Sequence, residues 1–215
     1  MIDLKKYTHI IWDWNGTLLD DAWLCVDVMN GMLKERKLPT KTVAEYRELF
    51  DFPVKDYYVK LGFDFEAEPF DDVGLEFITH YNIRLAETSL HPLVQEVLSR
   101  FESRGFKQHI LSAREQNELV LETRLMGVFR FFDHIRGLDD HYAHGKTDVG
   151  LHLIQEIGAP AGSMLFFGDT RHDAEVAKAI GIDCILISNG HHSEKRLSQF
   201  EVPVIPSLEY LIKLL

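Results

Sequence analysis

Short apolar runs alternate with helix-period segments along most of this chain, and the alternation is interrupted once. Runs at residues 9–12, 107–111, 131–136, 164–167, 184–187 and, shorter, 202–205 read as strands. The segments 92–104, 115–127, 147–158 and 171–181 between them carry apolar residues at helical spacing. Strand–helix alternation of this kind predicts a parallel sheet covered by helices on both faces. Residues 20–90 break the rhythm. They read as helices near 20–37, 43–50, 55–61 and 70–87, punctuated by Pro39, Pro53, Gly62 and Pro69. The pattern therefore predicts a three-layer α/β/α, Rossmann-like core of residues 1–17 and 89–215. An all-helical cap of residues 18–88 is inserted into it, with hinges near 17–20 and 86–91.

Composition narrows the partners. The chain has 215 residues, 46% hydrophobic and 27% charged, with a net charge of -11. That balance argues against duplex nucleic acid or an anionic membrane surface as the main partner, since both call for basic patches. Cys25 and Cys184 are too few and too far apart for a disulfide framework, which fits a reducing compartment. The first residues lack a signal-peptide apolar core, and no run is long enough to span a membrane. The expected setting is the cytoplasm, and a small anionic substrate stays compatible with the charge, because a metal and a few cations can make a local site.

Four clusters follow apolar strands. Asp13 ends the run Ile10-Ile11-Trp12, with Asn15, Gly16 and Thr17 after it. A carboxylate at the end of a buried strand is costly unless it is paired, so Asp13 is a candidate nucleophile or metal ligand. Ser112 ends the second strand, Lys146 opens a helix after the third, and Gly168, Asp169 and Asp173 follow the fourth. In open α/β sheets ligands bind at the carboxyl ends of strands, so the four clusters can converge. Asp13, Asp169 and Asp173 offer oxygens to a hard divalent ion such as Mg²⁺. Ser112 and nearby backbone N–H groups suit phosphate oxygens, and Lys146 is a point charge suited to the same group.

This order of motifs resembles the haloacid dehalogenase superfamily, specifically its phosphatases with a helical cap inserted after the first motif. The resemblance spans nearly the whole chain, and the segment from Asp183 to Gly190 looks like the phosphoglycolate phosphatase group. It implies that Asp13 attacks phosphorus and forms an aspartyl-phosphate. It implies Mg²⁺ held by Asp13, the carbonyl of Asn15, Asp169 and Asp173, and a phosphoryl group held by Ser112 and Lys146. The expected partner is a small phosphorylated metabolite, bound by a monomer or homodimer, with contacts from Thr17, Ala113, Arg114, whose alternative is to cap the next helix, and the cap residue Arg47, whose alternative is a surface ion pair.

One position departs from the family. Where its phosphatases carry a second Asp that protonates the leaving group, this chain has Asn15. The carbonyl still serves a metal, but the proton transfer, typically worth about 10²–10⁴-fold, is absent. Three consequences stay open: a slow phosphatase or one whose substrates have good leaving groups, a proton from elsewhere such as His191, His192 or a cap residue, or a silent phosphate-ligand-binding or regulatory protein. The bland reading of both histidines is a solvated loop. Trp12 is expected in the core and Trp14 beside the nucleophile, lining the pocket. Phe52, Tyr57 and Tyr58 are expected in the cap core or at its interface. A P-loop reading of Gly145-Lys146-Thr147 fails because the earlier glycine is replaced by Asp140, and His141 and His144 match no closed zinc site.

Overall fold

A computed structural model describes residues 3–139 and 145–215. The chain runs β1 (His9–Trp12), β2 (Leu19–Asp20), then helices α1 (Ala22–Glu35), α2 (Val43–Leu49), α3 (Val54–Leu61) and α4 (Phe70–Arg84). It continues through β3 (Ser89–Leu90), α5 (Val94–Ser103), β4 (Lys107–Glu115), α6 (Gln116–Leu125), β5 (His134–Leu138) and α7 (Lys146–Ile157). It ends with β6 (Met164–Gly168), α8 (Arg171–Ile180), β7 (Asp183–Ile187), α9 (Glu194–Leu197), β8 (Val204–Ile205) and α10 (Glu209–Leu214). Asp140, His141 and His144, read above against a P-loop and a zinc site, lie outside the described residues. No helix among the described residues is long and apolar enough to cross a membrane.

The main sheet is parallel, in the order β5-β4-β1-β6-β7-β8. Its faces follow the period of two that a strand imposes. Ile10 and Trp12 join Phe167, Ile185 and the α5 residues Val97 and Phe101 on one side. Ile11 joins Leu111, Phe166 and the α8 residues Val176 and Ala177 on the other. Two apolar cores therefore sandwich one sheet, as the strand–helix alternation predicts.

β5 starts at His134 rather than at 131, because Phe129–Phe131 closes a 3₁₀ turn. β4 runs on past 111 to Glu115. The chain leaves β1 toward β4 on one side and toward β6 on the other, so β1 lies at the switch point where crevices form.

Helices α1 to α4 bury an apolar cluster of their own, including Leu24, Met32, Leu33, Tyr58, Leu61 and Val73. Where hinges are expected, β2 and β3 pair antiparallel, Leu19 with Leu90 and Asp20 with Ser89. The two connections are thus tied into a short ribbon rather than running as separate loops.

Candidate active site

The carboxyl ends of β1 and β6 and the first turns of α7 and α8 bring Asp13, Lys146, Asp169 and Asp173 together. The Asp13 N–H donates to Phe167 O at 2.8 Å, which holds the strand end against β6. Thr170 caps α8, and Asp173 closes the capping box by accepting from Thr170 N–H at 2.9 Å through Oδ2. That leaves Asp173 Oδ1 to face Lys146. The Lys146 ammonium donates to Asp13 Oδ1 and to Asp173 Oδ1, each at 2.6 Å. Asp13, Asp169 and Asp173 offer oxygens that lie within 4.8 Å of one another, and all three are buried.

Burial pushes the Asp13 carboxyl well above its ordinary value; the Lys146 charge opposes this, while Asp173 and Asp169 add to it. Burial also lifts Asp169 to about 6, against the pull of His191. Burial works against the charge on Lys146, but Asp13 and Asp173 overcome it and hold the ammonium above the ordinary lysine range. Three buried acids around one cation form a site with an excess of negative charge, which a divalent ion would relieve. Gly16, at φ 73°, turns the chain here, and a Cβ on it or on Gly190 would overlap the Asp169 carboxylate. The two glycines thus leave Asp169 room that no side chain fills.

Asn15 faces the same cavity as Asp13. Its amide donates to Asp21 Oδ2 at 2.9 Å and to the Tyr81 hydroxyl at 3.0 Å. Asp21 is a residue that sequence reasoning missed. It stands at the N-cap of α1, where an Asp reads as an ordinary cap, yet its side chain makes no cap bond. Instead Asp21 accepts from Gly16 N–H at 2.8 Å and the Tyr81 hydroxyl at 2.8 Å, and lies 3.3 Å from His191 Nε2. Burial opposes its charge, but His191 and these hydrogen bonds hold its carboxyl at about 2. Burial equally opposes the charge on His191, yet Asp21, helped by Asp169 and Asp13, raises it to about 9.

The solvated-loop reading of the two histidines is overturned: His191 is 5% exposed and His192 is fully buried. The loop after β7 folds back over the site because the His191 N–H donates to Asp169 Oδ2 at 2.6 Å. His192 Nδ1 accepts from Arg171 N–H at 3.1 Å.

The other expected contacts divide. Ser112 and Ala113 line the cavity, and Ser112 Oγ accepts from Arg114 N–H at 3.1 Å. Thr17 lies behind the acids instead, donating to Asp169 Oδ1 at 2.9 Å, so it positions a carboxylate. Arg47 is likewise turned from the cavity: it donates to the carbonyls of Gly190 at 2.8 Å and Asn189 at 2.7 Å, pinning α2 to the loop after β7. Arg114 does reach the cavity, but Glu122, Glu118 and Asn82 hold its guanidinium at 2.7, 2.7 and 2.5 Å. Trp14 is fully buried in the sheet core, donating to Glu122 Oε2 at 2.7 Å, and does not line the pocket. Phe52, Tyr57 and Tyr58 do sit where the cap meets the site, and all three line the cavity.

The cavity measures about 220 Å³ and extends from the acids into the cap. Three comparisons place this architecture. The sequence pattern of haloacid dehalogenase-like hydrolases matches residues 10–187. The phosphoglycolate phosphatase of Mesorhizobium japonicum is 28% identical over 92% of this chain and 89% of its own length. That of Pseudomonas syringae pv. syringae is 27% identical over 94% and 78%. A haloacid dehalogenase-like family hydrolase of Streptococcus pneumoniae superposes with a TM-score of 0.83 over 97% of this chain and 98% of that one, at 18% identity, a likeness of fold alone. With its match across most of the core and the acids and lysine gathered at the switch point, the chain belongs to the haloacid dehalogenase-like hydrolase family.

Proposed function

We propose that this hydrolase is a phosphatase for a small phosphate monoester in the cytoplasm, working through an aspartyl-phosphate on Asp13. The observation that carries the reading is the chain of ion pairs Asp13–Lys146–Asp173 beside Asp169 at the base of the cavity. The relatives named phosphoglycolate phosphatase support phosphate-ester hydrolysis.

The donor set fits Mg²⁺, which takes hard oxygen ligands and keeps several waters. Asp13, the carbonyl of Asn15, Asp169 and Asp173 would hold it, with Gly16 and Gly190 leaving the Asp169 carboxylate room to sit among them. When bound, the ion supplies positive charge against the phosphoryl oxygens.

The chain's own residues do the rest. Asp13 Oδ1 is held by Lys146, whereas Oδ2 lies 3.4 Å from a Thr17 hydroxyl whose one proton goes to Asp169, so Oδ2 is the oxygen available to attack phosphorus. Lys146 offsets charge on the transferring group. Ser112 accepts from the backbone and keeps its own proton to donate to a phosphoryl oxygen. Water then attacks the aspartyl-phosphate and regenerates the carboxylate. Asn15 supplies no proton, and both ring nitrogens of His191 are committed, Nδ1 to Tyr46 at 2.8 Å and Nε2 to Asp21. The leaving group therefore departs without protonation from either residue.

Phosphate release from p-nitrophenyl phosphate tests the reading. Turnover is expected with Mg²⁺, abolished by chelation and reduced by roughly 10⁴-fold or more in Asp13→Ala. Asn15 supports a second reading, a silent phosphate-ligand binder. Binding of inorganic phosphate with no turnover, even of acetyl phosphate, would establish that one instead.

A further inference from the structure

The cavity wall contributed by α3, α4 and the segment before α3 is built mostly from rings. Phe50, Phe52, Tyr57, Phe70, Phe77 and Ile78 line it. These side chains pack on one another: Phe50 lies 5.3 Å from Tyr57 and 5.4 Å from Phe52, both edge-on. Such a wall is pre-shaped for an apolar ring. The space is adequate as well. An apolar cavity of roughly 150 Å³ already accommodates a benzene ring, and this one measures about 220 Å³ with the phosphate end included.

Charge points the same way. Among the described residues lining the cavity, the Lys and Arg side chains are Lys146 and Arg114, and carboxylates hold both. Arg47, the cap cation expected to contact the substrate, is bonded to the loop carbonyls instead. Asp21 is paired with His191 in the lining, and Glu115 adds a further carboxylate to it. A leaving group that carries its own carboxylate would meet acids and rings there, with burial opposing its charge.

Building on the phosphatase reading, we propose that the substrate is a phosphate monoester of an aromatic, phenolic alcohol, whose ring occupies the cap half of the cavity. Two independent features agree. The lining suits a ring, and Asn15 requires a leaving oxygen that departs as an anion, which a phenol does more readily than an alkyl alcohol. In the step, an Asp13 carboxylate oxygen forms a bond to phosphorus as the bond to the aryl oxygen breaks. The aryloxide leaves with the electron pair and takes its proton from solvent. Water then adds to phosphorus, both its protons end on the released dihydrogen phosphate, and the Asp13 carboxylate is restored.

Gly74 provides the test. It lines the cavity on α4, and a Cβ there meets no atom within 4 Å, so bulk added at this position enters open space. The values of kcat/KM are measured for phenyl phosphate, 2-phosphoglycolate and acetyl phosphate on the native protein, Gly74→Trp and Gly74→Leu, with melting temperatures for each. Phenyl phosphate is expected to exceed 2-phosphoglycolate by roughly 100-fold, and Gly74→Trp to lower the ratio of phenyl to acetyl phosphate turnover by about tenfold, with Gly74→Leu between. Should Gly74→Trp fail to fold, Gly74→Leu carries the same ratio. The proposal is overturned if 2-phosphoglycolate matches or exceeds phenyl phosphate, or if the folded variants lower phenyl and acetyl phosphate equally. Absence of turnover on all three substrates overturns the phosphatase reading itself, a result distinct from a changed preference among them.

Discussion

The base of the cavity and its cap wall solve opposite problems with opposite chemistry. At the base, Asp13, Lys146, Asp169 and Asp173 are buried charges, each stabilised by a specific partner at a fixed distance. In the cap, Tyr57, Phe50 and Phe70 offer shape and area, with ring contacts that tolerate change. Removing one partner from a buried ion pair strands the other, whereas trimming one ring of a cluster leaves its neighbours able to adjust. The base thus sets the reaction and the wall sets the substrate.

The largest expected effect breaks the base. Lys146→Met leaves Asp13 and Asp173 buried without their cation and should cost about 3–5 kcal/mol of stability, read by denaturant unfolding. A loss no larger than that of a ring truncation in the cap, such as Phe77→Leu, would erase the contrast between the two regions.

Asn15→Asp acts where base and cap meet. It replaces an amide donor to Asp21 and Tyr81 with a carboxylate facing the ionised Asp21. A loss of roughly 1–3 kcal/mol is expected from the lost donor and the like charge. The double variant Asn15→Asp, Asp21→Asn should recover most of it. If the single variant unfolds like the native protein, Asp21 is not the reason that an amide stands at 15.

Arg47→Ala probes the clamp between the two regions. Its two bonds to carbonyls hold the cap over the loop that carries His191. KM should rise by roughly three- to tenfold, by a similar factor for every substrate, in keeping with about 1 kcal/mol per hydrogen bond in a partly exposed pair. A rise confined to anionic leaving groups would return Arg47 to substrate recognition.

The smallest effect concerns the opposite edge of the sheet, where His109 stacks between His9 and His134 at 5.3 and 5.2 Å. Burial lowers His109 to about 3 from the ordinary 6.5, so the folded state keeps it neutral. Between these values the unfolded chain binds a proton that the native state does not. Its stabilising contribution is therefore present above pH 6.5 and lost as pH falls toward 3, with a slope of at most about 1.4 kcal/mol per pH unit. His109→Leu should flatten the acid limb of the stability profile while leaving the pH dependence of turnover in place. An unchanged acid limb would place the acid sensitivity in the acids at the base.

Much of the base was legible because strand ends and helix starts are local features. Asp13, Lys146, Asp169 and Asp173 each follow an apolar run or open a helix, and in a parallel sheet those positions share one edge. The errors lie where a side chain's direction depends on distant contacts. Trp14 enters the core because Glu122, on α6, offers it an acceptor. Arg47 turns to the loop after β7 because two carbonyls there, far away in sequence, accept from its guanidinium. Asp21 drew no notice because an Asp at a helix start is ordinary, and its partners His191, Tyr81 and Asn15 come from elsewhere in the fold or from the turn before it.

By itself, then, the sequence determined the alternation of strand and helix, the helical interruption, and the order of charged groups at strand ends, since periodicity and neighbour chemistry are properties of short windows. Tertiary structure alone decided which of those charges pair, that the His191 loop closes over Asp169, and that the cap presents rings rather than a free cation to the cavity. The physical reason is range: a backbone period is fixed within a few residues, but a buried charge takes whichever partner the fold brings within about 3 Å, and His191 stands 170 residues along the chain from Asp21.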